Sequence, residues 1–426
     1  MSPSKVHRVS NQERPPKPKF KPINPIEEAV KIWLSRLPAE LQATIQVHVN
    51  ELLSCTAKRW VVYPPMVLLP PGSFGDEWSG ILGSEISSET MNELWKSVLD
   101  NISKREGKGN LTHLAVNSGI PLNKDSHPPP GGAPLAAEEK NRTAQTSSPA
   151  SENILRTPSG LIMLYGDFGP ALSPDQNPRE EDFQHAFWVS TKQNGIVQVW
   201  APRYTMFSRG NVKEKARILD FHRHSGEFTS RDVEEGEIEA ATAVDLYAGI
   251  GYFVFSYARM GMGRVVGWEL NPWSVEGLRR GALANGWSVR VVVGDGEGGE
   301  GGEERIVVFL EDNAKALERL QRVEMDGRLE SGRIMHVNCG LLPTSELSWE
   351  MAIGMLRGGG WLHLHENVGV EDIESRKVEI GKILEQWLIG AGDGRTVTTE
   401  HVERVKTFAP GVWHCVFDVY VAGKED

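Results

Sequence analysis

Cysteine is scarce. Cys55, Cys339 and Cys415 are the three in 426 residues, far apart and in no C-x-x-C pair. That pattern argues against a disulfide framework or a zinc knuckle, and it suits a reducing compartment. No metal is expected. Long apolar runs are missing too: the stretch over residues 61–71 is broken by prolines, so no membrane span is expected. The opening MSPSKVHRVS lacks the apolar core of a signal peptide, which makes the cytosol the expected location. Cations are short as well, with 46 Lys and Arg against 57 Asp and Glu and a net charge of −11. Taken over the whole chain, that balance is poor for a protein that binds nucleic acid.

What is present is a chain with 39% hydrophobic and 24% charged residues, long enough for two or three domains. The acidic excess is local, in residues 232–239 and in the glycine-rich run DGEGGEGGEE at 295–304, which reads as a solvated loop. Residues 203–223 have the opposite sign. Arg203, Arg209, Lys213, Lys215, Arg217 and Arg223 face only Glu214 and Asp220 there, with His222 and His224 beside them. Such a patch can bind phosphates even where the whole chain repels them.

Residues 1–25 are polar and proline-rich and are expected to be disordered. Residues 26–121 read as an α+β region with helical spacing over 26–53 and around 91–102, and residues 122–152 as a disordered linker or insertion. Residues 153–203 read as a small β-rich module containing a hairpin about Lys192–Asn194. From residue 204 to 426 strand and helix signals alternate, the signature of an α/β, doubly wound, Rossmann-like sheet. Strands are expected at 243–247, 264–269, 289–294, 305–311, 333–338 and 360–366. A final strand at 412–422 would lie antiparallel at the edge. No strand is expected between the helix at 375–391 and residue 412.

The chemistry falls at the carboxyl ends of these strands, where open α/β sheets bind ligands. VDLYAGIGYF at 244–253 is a buried strand ending in an acid, then a glycine turn into a helix; RVVGWELNP at 264–272 is the next strand, ending in another acid. Asp245, Gly249, Gly251 and Glu269 in that order predict a nucleotide grip, with an ordinary βαβ crossover and its tight turn as the alternative. The glycines admit a ligand close to the backbone, and a carboxylate has acceptors enough for both ribose hydroxyls. The turn lacks the third spaced glycine that serves a pyrophosphate, which favours S-adenosylmethionine over a dinucleotide. Asp312 and Asn313, after the fourth strand, are placed to meet an adenine ring, or else form a plain turn. Asn338 and Pro343, in NCGLLP at 338–343, are candidates to bind the substrate, or else belong to a loop that merely closes the pocket; the run lacks the aromatic of the N-P-P-aromatic motif used to methylate exocyclic amines. Cys339 reads as a buried thiol rather than a nucleophile.

Ahead of the sheet, Ser208 and Lys215 are candidates for a carboxylate, and Arg209 and Lys213 for phosphate; a merely solvated cationic helix face is the alternative. Trp268 and Trp273 flank Glu269 and are candidates to wall the pocket or stack on a base.

The chain resembles the tRNA wybutosine-synthesizing protein 2 family, in particular its fungal members. The resemblance is carried by MVLLPPGSF at 66–74, LYGDFGP at 164–170, MFSRGNVKEKARI at 206–218, DLYAGIGYF at 245–253, WELNP at 268–272, NCGLLPTS at 338–345 and VKTFAPGVWHCVFDV at 405–419. It implies a class I methyltransferase fold used for another reaction, transfer of the 3-amino-3-carboxypropyl group of S-adenosylmethionine. The acceptor is the 4-demethylwyosine base beside the anticodon of tRNA(Phe), and methylthioadenosine is released. Family cofactor contacts fall on Ser208, Lys215, Glu269, Asp312 and Asn313. No general base is implied, and a monomer is expected. A guanosine methyltransferase acting at the same tRNA position is the alternative; it would release S-adenosylhomocysteine.

Overall fold

The computed structural model describes residues 23–82, 86–117, 158, 160–173, 176–223, 227–294, 304–325 and 333–423. The expected disorder at 122–152, most of the acidic run at 295–304 and His224 lie outside them. The described chain divides into two compact units, one of residues up to Trp60 with Gly72–Thr112, the other of Val61–Pro71 with everything from His113 onward.

The first unit is helical: α1 (Pro25–Leu34), α2 (Ala39–Ile45), α3 (Val49–Ser54), α4 (Asp76–Leu82) and α5 (Ser88–Glu106). The expected helical stretch over 26–53 is thus three pieces. Pro38 cannot continue a helix and stands at the start of α2 instead. Asn24 caps α1 by accepting from the Ile26 amide, with Pro25 in the first turn, and Gly107 ends α5 in a left-handed conformation. Ile26, Val30, Leu94, Val98 and Ile102 are fully buried between α1 and α5.

The second unit begins with a four-stranded sheet, β1 (Val61–Tyr63), β2 (Met66–Leu69), β3 (His113–Asn117) and β4 (Leu161–Tyr165), in that order. After α6 (Glu180–His185) comes the expected hairpin, β5 (Val189–Gln193) and β6 (Ile196–Trp200), with Asn194 and Gly195 at the turn, both at positive φ. Helices α7 (Val212–Leu219) and α8 (Glu235–Ala240) lead into the main sheet.

That sheet holds β7 (Thr242–Asp245), β8 (Arg264–Glu269), β9 (Val289–Val293), β10 (Ile306–Leu310), β11 (Ile334–Cys339), β12 (Gly360–Gly369), β13 (Val397–Ala409) and β14 (Val412–Val421). Their order is β13-β14-β12-β11-β7-β8-β10-β9; β7 to β12 are parallel to their neighbours among them, and β14 runs antiparallel between β12 and β13. Every residue of β7 is buried, as a parallel strand covered on both faces requires. On one face α9 (Val254–Met260) and α10 (Pro272–Ala284) pack with Phe221 and Ile218; on the other α11 (Ala316–Met325), α12 (Trp349–Met355) and α13 (Ile373–Gly390) enclose Trp349, Leu362 and Phe417. The chain leaves β7 toward β8 and returns beyond β7 to β11, so strand order reverses between β7 and β11. A sheet of this kind opens a crevice at that switch point.

β13 was not expected from the sequence. Its residues are mostly half-buried and interleave charged and β-branched types, so no apolar run marks it. The signal that would have found it is the Pro410–Gly411 turn between two runs rich in valine and threonine.

Candidate active site at the carboxyl rim

The glycine turn after β7 has the geometry its composition demands. Gly249 and Gly251 take φ of 54° and 91°, a region that glycine enters without strain. A Cβ on Gly251 would fall 2.5 Å from the Phe255 ring. The Gly249 amide donates to Oε2 of Glu269 at 2.9 Å, and the Asn271 amide to Oε1 at 2.8 Å. Two backbone donors thus fix the half-buried carboxylate at the end of β8 while leaving lone pairs for further donors. Burial raises its pKa against the opposing pull of those amides.

Asp245 ends β7 fully buried. In the parallel register Asn338 lies opposite it on β11, and the Asn338 amide donates to its Oδ1 at 3.0 Å. His365 Nε2 meets Asn338 Oδ1 at 3.1 Å, and His365 Nδ1 meets His414 Nε2 at 2.9 Å. Asn338 is therefore occupied at both ends and fully buried, a strut behind the switch point rather than a surface group. Burial pushes Asp245 up to about 6 and His365 down to about 3.

Lys215, on α7, is buried without a carboxylate partner among the described residues. Its Nζ donates to Gln193 Oε1 at 2.6 Å and Gln198 Oε1 at 2.9 Å, both from the β5–β6 hairpin. It also lies 5.2 Å from the Phe207 ring centroid and 5.3 Å from that of Tyr252. An ammonium has three donors, so one remains. Burial pushes its pKa down to about 8, where a bound anion would restore the charge. Tyr252 belongs to the glycine turn; its hydroxyl donates to the Met206 carbonyl at 2.7 Å and accepts from the Ser208 amide at 3.0 Å. The Ser208 hydroxyl makes no capping bond. Tyr252 therefore ties Ser208 and Lys215 to Gly249 and Gly251. Sequence reasoning missed Tyr252, Gln193 and Gln198, since only the fold brings the hairpin to α7.

Beyond β10, Asp312 caps a short turn by accepting from the Ala314 amide at 2.8 Å and is exposed. The neighbouring Asn313 side chain donates to the Leu246 carbonyl at 2.7 Å, which joins this loop to the one after β7. Pro343 is exposed, and its carbonyl accepts from the Asn367 amide at 2.8 Å.

Two sequence expectations are corrected. Trp268 is fully buried and stacks on Phe309 at 4.9 Å, while Trp273, 5% exposed, stacks on Tyr204 at 3.8 Å, so both rings are committed to the core. The basic patch also divides. Arg209 and Lys213 are exposed, but Arg217 is buried in a pair of bidentate contacts with Glu214 and Asp418. His222 is turned inward onto His336 at 2.9 Å. Cys339 is fully buried, and burial pushes its thiol up to about 12, which suits a core residue.

A carboxylate held by two backbone amides, a glycine turn and a buried lysine with a donor to spare lie on one rim. The fold and rim define a class I S-adenosylmethionine-dependent transferase. No family model matches the chain. Individual proteins do. It is 39% identical over 407 residues to tRNA wybutosine-synthesizing protein 2 of Schizosaccharomyces pombe, covering 92% of this chain and 81% of that one. It is 31% identical over 413 residues to the protein of the same name from Saccharomyces cerevisiae, covering 89% and 77%. Among solved structures, P. horikoshii TYW2 in complex with MeSAdo shares the fold with a TM-score of 0.53 at 16% identity, covering 93% of this chain and 99% of that one. The chain belongs to the tRNA wybutosine-synthesizing protein 2 family. It is an S-adenosylmethionine-dependent aminocarboxypropyltransferase of wybutosine synthesis.

Proposed function

We propose that the rim grips S-adenosylmethionine by its two ends. Glu269 accepts the ribose hydroxyls, Asp312 and Asn313 meet the adenine, and Lys215 with Ser208 holds the carboxylate of the methionine tail. Gly249 and Gly251 keep the floor open, and the Asp245–Asn338 strut holds the switch point apart. When bound, S-adenosylmethionine supplies a tail carbon activated by the adjacent sulfonium. The acceptor is the 4-demethylwyosine base beside the anticodon of tRNA(Phe), a ring carbon of an electron-rich base, which enters past Pro343. This chain's contribution is then positioning, which alone can lower a barrier by about 7–11 kcal/mol, with no protein general base. Arg209 and Lys213 reach the RNA backbone. The cytosol is the setting that three free, scattered cysteines suit.

The observation that carries this reading is Lys215, a buried cation caged by two amide oxygens and two rings with a donor to spare. Titration calorimetry tests it. Lys215→Met is expected to weaken binding of S-adenosylmethionine while leaving that of methylthioadenosine, which has no tail carboxylate, near the wild-type value. Equal losses for both ligands would remove Lys215 from the tail.

A further inference from the structure

Strand β13 forms the sheet's outer edge. It is antiparallel to β14, which is antiparallel to β12, so β13 runs in the direction of the parallel strands and its last residues end at the ligand-bearing rim. Its pairing with β14 slips twice near that end, between Arg404 and Lys406 and between Thr407 and Ala409. The second slip leaves Phe408 opposite no residue. Bulges turn side chains out of the ladder and are frequent beside active sites. Phe408 is 56% exposed, and no other phenylalanine among the described residues is an exposed one.

Two positions earlier, Lys406 lies across the turn that carries Arg209. A Cβ on Gly210 would meet Lys406 Cδ at 2.6 Å and Nζ at 2.8 Å, so the lysine passes where only glycine leaves room. Lys406 pairs with His414 in the β13–β14 ladder, but its half-buried side chain forms no hydrogen bond or ion pair among the described residues; burial lowers its pKa. The exposed Arg209 and Lys213 belong to the same turn and to the start of α7, and both of those elements pack on β13. Cations from two segments remote in sequence thus converge beside an outward-turned aromatic ring. Single-stranded nucleic acid is held by this combination, charge for the backbone and a ring for the base.

We propose that the Lys406–Ala409 end of β13 is a nucleotide subsite for the RNA substrate: Lys406, with Arg209, holds a phosphodiester, and Phe408 stacks on a base flanking the modified one. The inference rests on the reading of tRNA as substrate and adds the site that receives a neighbouring nucleotide. An anion pointing to Lys406 has a second possible source, the tail carboxylate of S-adenosylmethionine, and the two separate by experiment.

The full-length chain and its Phe408→Ala, Phe408→Trp and Lys406→Gln variants would be titrated with tRNA(Phe) carrying the acceptor base over a range of salt, and separately with S-adenosylmethionine. Phe408→Ala is expected to weaken tRNA binding about 5- to 100-fold with little change in salt slope, and Phe408→Trp to retain it. Lys406→Gln is expected to reduce the slope of log K against log salt by about 0.7–0.9. None of the three variants should alter binding of S-adenosylmethionine. Unchanged tRNA affinity in Phe408→Ala overturns the stacking role. A loss of S-adenosylmethionine binding in Lys406→Gln, with tRNA binding intact, overturns the phosphate role and gives Lys406 to the carboxylate. If the wild-type chain modifies the tRNA and both variants bind it normally, the subsite fails while the functional reading stands. Failure of the wild-type chain to modify it strikes that reading first.

Discussion

The Gly249 amide and the Glu269 carboxylate meet at 2.9 Å across the first two strands of the parallel sheet. One bond joins the glycine turn to the acid at the end of the next strand, so the proposed floor of the nucleotide site is tied to its proposed ribose anchor. Glu269→Ala is predicted to weaken S-adenosylmethionine binding by about a hundredfold or more, since two hydrogen bonds to a charged acceptor would be lost. Calorimetry reads this directly, and unchanged affinity would remove the ribose role.

Lys215 carries a pH signature. Its pKa stands at about 8, so in the free protein the cation is intact below that value and is lost above it. A carboxylate partner favours the charged form. Affinity for S-adenosylmethionine is therefore predicted to hold level below about pH 8 and to fall up to tenfold per pH unit above it, with protons taken up on binding. Titration of the ligand's own amino group would persist in Lys215→Met, whereas the part due to Lys215 disappears. A pH profile identical in the two proteins would contradict the assignment.

Asp245 acts on stability in the opposite range. Burial places its folded pKa near 6, above the ordinary value of 3.8. Between those values the folded state holds a proton that the unfolded chain has released, so its contribution to stability rises as pH falls from about 7 toward 4. Asp245→Asn removes the titration and leaves an oxygen to accept from Asn338. Its melting temperature relative to wild type is predicted to be highest at pH 7–8 and to lose that advantage toward pH 4, as followed by thermal unfolding. A pH-independent difference would show that Asp245 is ionised in the fold throughout.

Gly251→Ala tests the turn itself. The φ of 91° disfavours any side chain, and the new methyl would meet the Phe255 ring. A loss of about 1–3 kcal/mol in unfolding free energy is predicted from denaturant titration. Full stability would mean the turn relaxes more freely than its packing allows.

The sheet and its acids were legible because a parallel strand buried on both faces writes itself as an apolar run, and the residue that ends it is conspicuous. Asp245 and Glu269 stand out for that reason. β13 did not, since an edge strand is half solvated and its charges obscure the pattern. Counting cations misjudged Arg217, because its partner Asp418 lies 201 residues away and only the folded sheet brings them together. The cage about Lys215 is tertiary in the same sense: its glutamines come from a hairpin that the sequence announces, but whose docking on α7 it does not. Trp268 was misplaced because side chains alternate along β8, so the residue before a rim acid points into the core, here onto Phe309.

The most direct test of a rim that grips the methionine tail is the identity of the nucleoside released. The purified chain would be incubated with S-adenosylmethionine labelled in its adenosine and with tRNA(Phe) carrying 4-demethylwyosine, and the products separated. Methylthioadenosine, in step with a mass gain of one aminocarboxypropyl group on the tRNA, is the predicted result; S-adenosylhomocysteine with a methylated base would contradict it.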